Sequence, residues 1–263
     1  MKNHQVSVVI ITEKNILTPY EEISLNRALE VFSEFNKYLV ISEKTDPQNL
    51  LDTDKVSVIK LPDSHFKSVK TYSSLLLSSF FYEHFIDSEH ILIYQLDCFV
   101  FKNNLTDFLT FDYIGAPWYN TQNHEANAII RTLLFRKPLK SIKLTISWFL
   151  RKKIAAVGNG GFSLRRVDKF IEITTDNQIK KIISSWIKNE RPYEDIFFSF
   201  MVPIFFADFK IADIATAAKF SFETYPQKCY ALNNNELPVG CHAWAKHDID
   251  FWREIFGTFG YKI

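Results

Sequence analysis

The stretch Ile91-Leu92-Ile93-Tyr94-Gln95-Leu96-Asp97-Cys98-Phe99-Val100-Phe101 is an apolar run of strand length with one carboxylate in its middle. Burying an unpaired carboxylate is costly, so this position implies a counter-charge, and a metal ion at a strand end is one candidate. Asp97 could also cap a turn or pair with a nearby lysine, and taken alone this structural interpretation is the more frequent one. Later parts of the chain favour the metal.

The composition describes a folded protein of α/β size. The chain has 263 residues, 47% of them hydrophobic, which is enough to bury a full core, and we expect residues 1–263 to form a single domain. The net charge of +1 predicts neither nucleic-acid nor membrane binding. The three cysteines lack the count and spacing of a disulfide framework or a zinc ribbon, which favours a reducing setting.

The beginning of the chain does not look like a targeting segment. The apolar run at residues 6–11 is too short for a signal peptide and lacks a small-residue cleavage site. No apolar run reaches the length that spans a bilayer. These features predict a cytoplasmic protein.

The first hundred residues alternate strand-like runs with helical spacing. Strands are predicted at 6–11, 38–41, 56–61 and 91–101, and helices at 19–35 and from Val69 to Phe85. The first helix begins with a capping residue, Thr18, followed by Pro19 and by Glu21. This alternation predicts a mostly parallel sheet with helices on both faces, whose ligands bind beyond the carboxyl ends of the strands. Asp97 lies near such an end.

The second half is predicted in less detail. A short strand in 111–118 breaks at Pro117, and the following Trp118 and Tyr119 could line a sugar site or pack in the core. Helices are predicted at 167–187 and 248–259, with a strand and a turn at 211–223.

A basic amphipathic insertion is predicted at about 126–153. No acidic residue occurs from Ala126 to Val167, whereas lysines and arginines accumulate there among apolar residues. The insertion could lie on an anionic membrane surface, where each basic residue adds about 1 kcal/mol. It could also be a solvated face that binds an acidic polymer or nothing. The first alternative predicts a peripheral position at the inner face of the plasma membrane.

Three local motifs carry possible chemistry. Gly158, Gly160 and Gly161 are three of only seven glycines, which suggests a close approach of backbone to a ligand or a positive φ, although the spacing is not that of a known phosphate loop. The acids Glu194 and Asp195 begin an apolar segment, either as favourable charges at a helix start or as a general base with its orienting partner. His242 follows a glycine late in the chain and could reach back to a metal.

Taken together in chain order, these motifs resemble the GT-A-type glycosyltransferases, and more narrowly a bacterial family of unknown function that is similar to them. The resemblance spans nearly the whole chain and rests on the following residues: Pro19-Tyr20-Glu21, Ser24-Leu25, Tyr72, Leu75-Leu76, Tyr94-Gln95-Leu96-Asp97, Asp112 to Trp118, Gly158 to Arg165, Glu194-Asp195, Phe222-Glu223, Gly240 and His242.

The resemblance implies a sheet that binds a nucleotide-sugar and an Asp-x-Asp-like strand end that holds a divalent ion. Gln95 replaces the first acid of that motif, which leaves Asp97 as its only carboxylate. His242 stands where a late histidine would complete the metal shell. Oxygen ligands with one imidazole suit Mn²⁺ or Mg²⁺, the expected cofactor.

The implied reaction is the transfer of a sugar from a nucleotide-sugar, most simply a UDP-sugar, to a saccharide or lipid-linked acceptor in the synthesis of cell-surface polysaccharide (lipopolysaccharide, O-antigen or capsule). If the reaction inverts the anomeric centre, Glu194 or Asp195 would accept the proton of the acceptor hydroxyl. Retention would give these acids a different role, and the sequence does not choose between the two outcomes. The expected nucleotide-sugar contacts are Thr12, Glu13, Tyr72, Gln95, Asp97, Gly160, Gly161 and Lys246.

Two other interpretations stay open. The first is a noncatalytic module that binds carbohydrate or nucleotide-sugar, because Gln95 weakens the metal motif. The second is a thiol or zinc site formed by Cys98, Cys241, His242 and His247, whose spacing is irregular.

Overall fold

The computed structural model describes residues 3–118, 157–189 and 192–263. The predicted basic insertion at about 126–153, and Tyr119, lie outside the described residues. Within these ranges, none of the helices combines the length and the apolar character needed to cross a bilayer.

The strands and helices follow the order that the apolar pattern predicts in the first half. The strands are β1 (Asn3–Thr12), β2 (Phe35–Ser42), β3 (Ser57–Leu61), β4 (His90–Gln95), β5 (Phe99–Val100), β6 (Tyr113–Ile114), β7 (Phe162–Arg166), β8 (Ser221–Phe222) and β9 (Gly240–Cys241). The helices are α1 (Pro19–Val31), α2 (Val69–Leu76), α3 (Ser79–Glu83), α4 (Val167–Thr175), α5 (Asn177–Trp186), α6 (Glu194–Ile196), α7 (Val202–Phe205), α8 (Ile214–Phe220), α9 (Pro226–Leu232) and α10 (Ile249–Thr258). A π-helical turn, Phe197–Met201, joins α6 to α7.

The central sheet has the strand order β3-β2-β1-β4-β7-β6. Its first four strands are parallel, and β7 and β6 add to it in antiparallel pairings. The predicted mostly parallel sheet is therefore confirmed. The carboxyl ends of β1 and β4 lie side by side, because Ile11 pairs with Gln95.

Both faces of the sheet are covered, as the strand composition predicts. Successive residues of β1 alternate between two buried clusters: Val8 and Ile10 belong to one, and Val9 and Ile11 to the other. The first cluster includes residues of α1 and α8, and the second includes residues of α2 to α5. A strand with both faces buried reads as a continuous apolar run.

A small second sheet, β5-β9-β8, lies near the carboxyl end of β4. It packs on α10 through an aromatic cluster in which the Phe99 and Phe256 rings stack 4.1 Å apart. Phe99 of β5 pairs with Cys241 of β9 in antiparallel register. The turn that contains Asp97, just before β5, therefore lies beside His242, just after β9. This sheet therefore brings the late His242 to Asp97.

Several predicted element boundaries are wrong. The run 91–101 is two strands in different sheets, and Asp97 lies in the turn between them. The helix predicted at 19–35 ends at Val31, because Phe35 begins β2. The helix predicted at 167–187 is broken at Asp176, whose side chain caps the second half.

The strand predicted within 211–223 is a fourth error. Ile211 makes only an isolated bridge, and the next residues form α8 before β8 begins. Asp213 caps this helix by accepting a hydrogen bond from the Thr216 N–H. An N-terminal cap and three alanines favour a helix there over a strand.

We expect alanine to have opposite effects at two glycines. A Cβ on Gly240 would lie 2.5 Å from the Phe162 ring and 2.8 Å from the Phe99 carbonyl, whereas a Cβ on Gly257 in α10 would meet nothing within 4 Å. Gly240→Ala should lower the free energy of unfolding by about 1–3 kcal/mol through overpacking. Gly257→Ala should raise it by about 0.5–1 kcal/mol. Urea unfolding measures both, and equal effects would contradict the packing around β9.

Candidate active site

Asp97 and His242 meet beyond the carboxyl end of β4, as the sequence predicts. The His242 Nε2 atom lies 3.1 Å from Asp97 Oδ1. The Asp97 side chain is 50% exposed, whereas that of His242 is only 12% exposed. Asp97 is thus accessible to solvent, whereas His242 is enclosed by protein atoms.

His242 is held from two further sides. Its Nδ1 lies 3.2 Å from Glu223 Oε1, and its Nε2 lies 3.2 Å from Gln95 Oε1. Its backbone N–H donates to the Phe222 carbonyl, which places it beside Glu223. Sequence reasoning missed Glu223 as a site residue, although the pair Phe222-Glu223 was part of the resemblance.

The surroundings of His242 favour its protonated form. Burial by itself would lower the pKa of His242, but the hydrogen bonds and charges of Asp97 and Glu223 raise it to about 10. Burial would also raise the pKa values of Asp97 and Glu223, yet the imidazolium holds both below their ordinary values. At neutral pH the three groups therefore form a carboxylate–imidazolium–carboxylate cluster.

The glycine motif packs directly on this cluster. A Cβ on Gly161 would overlap the His242 ring and approach Gln95 Oε1. A Cβ on Gly160 would lie 2.5 Å from Glu194 Oε1. Gly158 has a φ of +137°, which L side chains rarely adopt. The predicted positive φ is found at Gly158. At Gly160 and Gly161 the close partners are protein side chains, and the predicted approach to a ligand stays a prediction.

A cavity of about 500 Å³ opens at the carboxyl ends of β1 and β4. Its lining includes most of the residues predicted to contact a nucleotide-sugar: Thr12, Glu13, Tyr72, Gln95 and Asp97. Lys14, Phe66, Lys67 and Ser68 also line it, and sequence reasoning missed them. The cavity therefore combines aromatic, cationic and anionic groups, which suit a nucleoside with a charged tail.

Gln95, which lines this cavity, is held by two side-chain contacts. Its Nε2 donates to the Tyr72 hydroxyl at 3.0 Å, while its Oε1 faces His242. Of the remaining predicted contacts, Gly161 borders Gln95 and Gly160 lies against Glu194. Lys246 is exposed, and its charge helps to lower the pKa of Asp97.

The two adjacent acids have different surroundings. Glu194 is 5% exposed; its Oε2 accepts a hydrogen bond from Ser73 at 3.0 Å, and its Oε1 lies 3.3 Å from Arg165 Nη2. Asp195 is partly exposed and accepts from the Ile196 N–H at 2.7 Å. Burial, and then the charges of Glu194 and Glu223, raise the pKa of Asp195 to about 8.

The donor set suits a hard or borderline divalent cation. Ligand atoms of Asp97, Cys98 and His242 lie within 4.8 Å of one another. Burial raises the pKa of the Cys98 and Cys241 thiols well above the ordinary value, and Cys98 donates to the Gly161 carbonyl. A protonated thiol is a poor ligand, so the carboxylate and the imidazole fit Mn²⁺ or Mg²⁺ better than a thiolate zinc site.

One predicted aromatic residue lies near the glycine motif. Trp118 follows Pro117, which bridges to Val157, and its ring stacks on Phe200 with centroids 6.0 Å apart and an interplanar angle of 12°. Phe200 belongs to the π-helical turn that follows Asp195.

We predict that Asp195→Asn makes the protein more stable than the unmodified chain, and that this gain in stability grows as the pH rises. Because its pKa is raised in the fold, Asp195 holds its proton between about pH 4 and pH 8, where the unfolded chain has lost it. Folding stability therefore falls across this window in the unmodified protein but not in the variant. The difference in Tm should grow from near zero at pH 4 to its maximum above pH 8. A difference that is constant with pH would contradict the raised pKa.

Solved structures share this fold. A glycosyltransferase involved in the glycosylation of the major capsid of PBCV-1 aligns with a TM-score of 0.50 and 14% identity, covering 94% of this chain and 96% of that chain. Core-mannan synthase A from Aspergillus fumigatus, in its Mn/GDP form, aligns with a TM-score of 0.53 and 10% identity, covering 81% and 73%. These likenesses confirm the predicted GT-A-like α/β fold.

Sequence comparison identifies the family. No protein with curated annotation matches the chain. Residues 55–242 match a family of proteins of unknown function, DUF5672, and this span holds Tyr72, the Asp97–His242 pair, the glycine motif and both adjacent acids. Because the match covers more than half of the chain, the protein belongs to the DUF5672 family.

Proposed function

We propose that the protein is a glycosyltransferase that moves a sugar from a nucleotide-sugar to an acceptor hydroxyl with the help of a divalent cation. The observation that carries the proposal is the pairing of His242 with Asp97, which lines the cavity where β1 and β4 end. The likeness of the fold to glycosyltransferases supports it, and one of these neighbours was solved with manganese and GDP.

In this proposal Asp97 and His242 hold the cation. To ligate a metal His242 must give up its Nε2 proton, and the remaining Nδ1–H then donates to Glu223. A bound Mn²⁺ or Mg²⁺ supplies positive charge against the diphosphate of the donor. Gln95 Oε1 lies beside the same ring nitrogen and adds no negative charge, and Lys246 adds a further positive charge near Asp97.

Asp195 is the better general base of the two acids. Glu194 is occupied by Arg165 and Ser73, whereas Asp195 is partly exposed and its raised pKa suits proton transfer near neutral pH. As the acceptor oxygen bonds to the anomeric carbon, its proton passes to Asp195, and the bond from that carbon to the diphosphate oxygen breaks. This single displacement inverts the anomeric centre.

For the donor, the acceptor and the cellular location, the proposal keeps the expectations of the sequence analysis. The donor is a UDP-sugar, the acceptor is a saccharide or lipid-linked saccharide of a cell-surface polysaccharide, and the reaction takes place at the cytoplasmic face of the membrane. The stacked Trp118 and Phe200 rings near Asp195 offer an apolar surface of the kind that packs against sugar rings.

A noncatalytic binding module is the second candidate, and Gln95 is the observation that favours it. The Asp97 carboxylate is the motif's only acid, and Gln95 is held by Tyr72 and His242 within the protein. Such a module would bind nucleotide-sugar without turning it over.

We expect Mn²⁺-dependent turnover of a nucleotide-sugar that is lost in Asp97→Ala. Release of nucleoside diphosphate from UDP- and GDP-sugars, with and without a panel of methyl glycosides, measures it. Asp54→Ala, which removes an exposed carboxylate outside the cavity, serves as the control and should leave the rate unchanged. Binding without turnover in the unmodified protein would favour the module, and neither binding nor turnover would reject both functions.

We also expect Glu223→Gln to weaken the binding of Mn²⁺ by about 10-fold to 100-fold, because Glu223 fixes the orientation and basicity of His242. Isothermal titration with Mn²⁺ in the presence of UDP or GDP measures the affinity. Glu236→Gln, at an exposed position, is the matched control. An unchanged affinity in Glu223→Gln would contradict the role of Glu223 in orienting a metal-bound His242.

A further inference from the structure

A buried ion pair lies next to the glycine motif and has no role in the transfer step proposed above. Arg165, on β7, is one of the largest fully buried side chains of the described residues, with 0% exposure. Its only carboxylate partner among these residues is Glu194, at 3.3 Å. The pair therefore places two opposite charges inside the protein, next to the acid that we propose as the base.

Arg165 is fixed on every side. It donates to the Tyr82 hydroxyl at 2.9 Å, to Ser163 Oγ at 3.0 Å and to the Gly160 carbonyl at 3.4 Å. Its guanidinium carbon lies 5.6 to 5.8 Å from the centres of three rings: Tyr113, Phe170 and Phe198. These directional hydrogen bonds and ring contacts hold the planar guanidinium in a defined orientation.

Glu194 connects this arginine to the rest of the site. Its second oxygen accepts from Ser73 on α2, and its first oxygen occupies the space that a Gly160 side chain would fill. The pair thus ties α2, β7, the glycine motif and α6 together at one point. Asp195 is the next residue of α6, so its backbone position follows that of Glu194.

Net stability does not explain such a pair. Removing two charges from water costs about as much as their attraction returns, and apolar replacements of buried pairs are often neutral or stabilising. The pair does fix the positions of the Glu194 and Arg165 side chains, and it places their two charges next to Asp195. We propose that Arg165 and Glu194, with Ser73, form a positioning unit that holds Asp195 and the glycine motif in register. This inference rests on the proposed role of Asp195 as base.

The charges around Asp195 come from several elements. Glu194 on its own helix and Glu223 after β8 face it as negative charges, Arg165 on β7 faces it as a positive charge, and the Tyr113 hydroxyl of β6 lies nearby. Glu194 raises the pKa of Asp195, and Arg165 lowers it. Neutralising Glu194 should therefore make Asp195 lose its proton at a lower pH.

The first test is the pH profile of kcat/KM for donor release. In Glu194→Gln the rising limb should move down by about one pH unit or more, since a neighbouring negative charge is lost. Its kcat should fall by about 10-fold to 100-fold, because the base is no longer held, while the donor KM stays unchanged. A variant with a lower Tm but an unmoved pH limb would show a merely structural role and overturn the proposal.

Two further variants separate position from charge. Ser73→Ala removes a hydrogen bond to Glu194 without changing any charge, so kcat should fall while the pH limb stays in place. Asp208→Asn disrupts the exposed pair with Lys169 and should change neither quantity. If Glu194→Gln does not fold, Ser73→Ala decides, and an unchanged kcat in that variant would overturn the proposal.

A second readout does not need turnover. The pH at which Asp195 titrates can be measured from the Tm difference between chains with and without Asp195→Asn, in the unmodified and the Glu194→Gln background. The midpoint should be lower in the Glu194→Gln background. A lower midpoint in a protein without transferase activity would reject the proposed function and keep the arrangement, whereas equal midpoints would reject the arrangement.

Discussion

The site depends on one constraint: a largely buried imidazole, His242, lies between two carboxylates that come from different parts of the chain. Asp97 follows the central sheet and Glu223 follows β8, and each approaches a different ring nitrogen. An imidazolium in this position is stabilised by both negative charges, which is why its pKa rises to about 10 despite burial. A divalent cation in place of the Nε2 proton would add one positive charge to the cluster, and the same two carboxylates would offset it.

The two sheets bring the groups around that imidazole together. The parallel strands carry Asp97 and Gln95 to the edge where β1 and β4 end, and the small sheet carries His242 back to them through the pairing of Phe99 with Cys241. Glycine at position 161 is what allows the closest approach. The geometry thus follows from strand register and from one missing side chain, and a rigid scaffold of this kind can hold a metal or a base in place.

Much of this could be predicted from the sequence, for local reasons. Apolar runs with helical spacing between them identified the sheet, and an acid in such a run identified Asp97. The run 91–101 was nevertheless wrong as one strand, because nothing local shows that β4 and β5 belong to different sheets. Glu223 was missed since its partner is nineteen residues away. Glu194 and Asp195 could not be told apart, because the distinction is made by Arg165, a partner across space.

The most direct measurement is the electron spin-echo spectrum of bound Mn²⁺ with a nucleoside diphosphate present. If Asp97 and His242 hold the cation, the spectrum shows coupling to one imidazole nitrogen, and that coupling disappears in His242→Gln. Bound Mn²⁺ without any nitrogen coupling in the unmodified protein would contradict the account, because the imidazole at the centre of the cluster would then have no metal to hold.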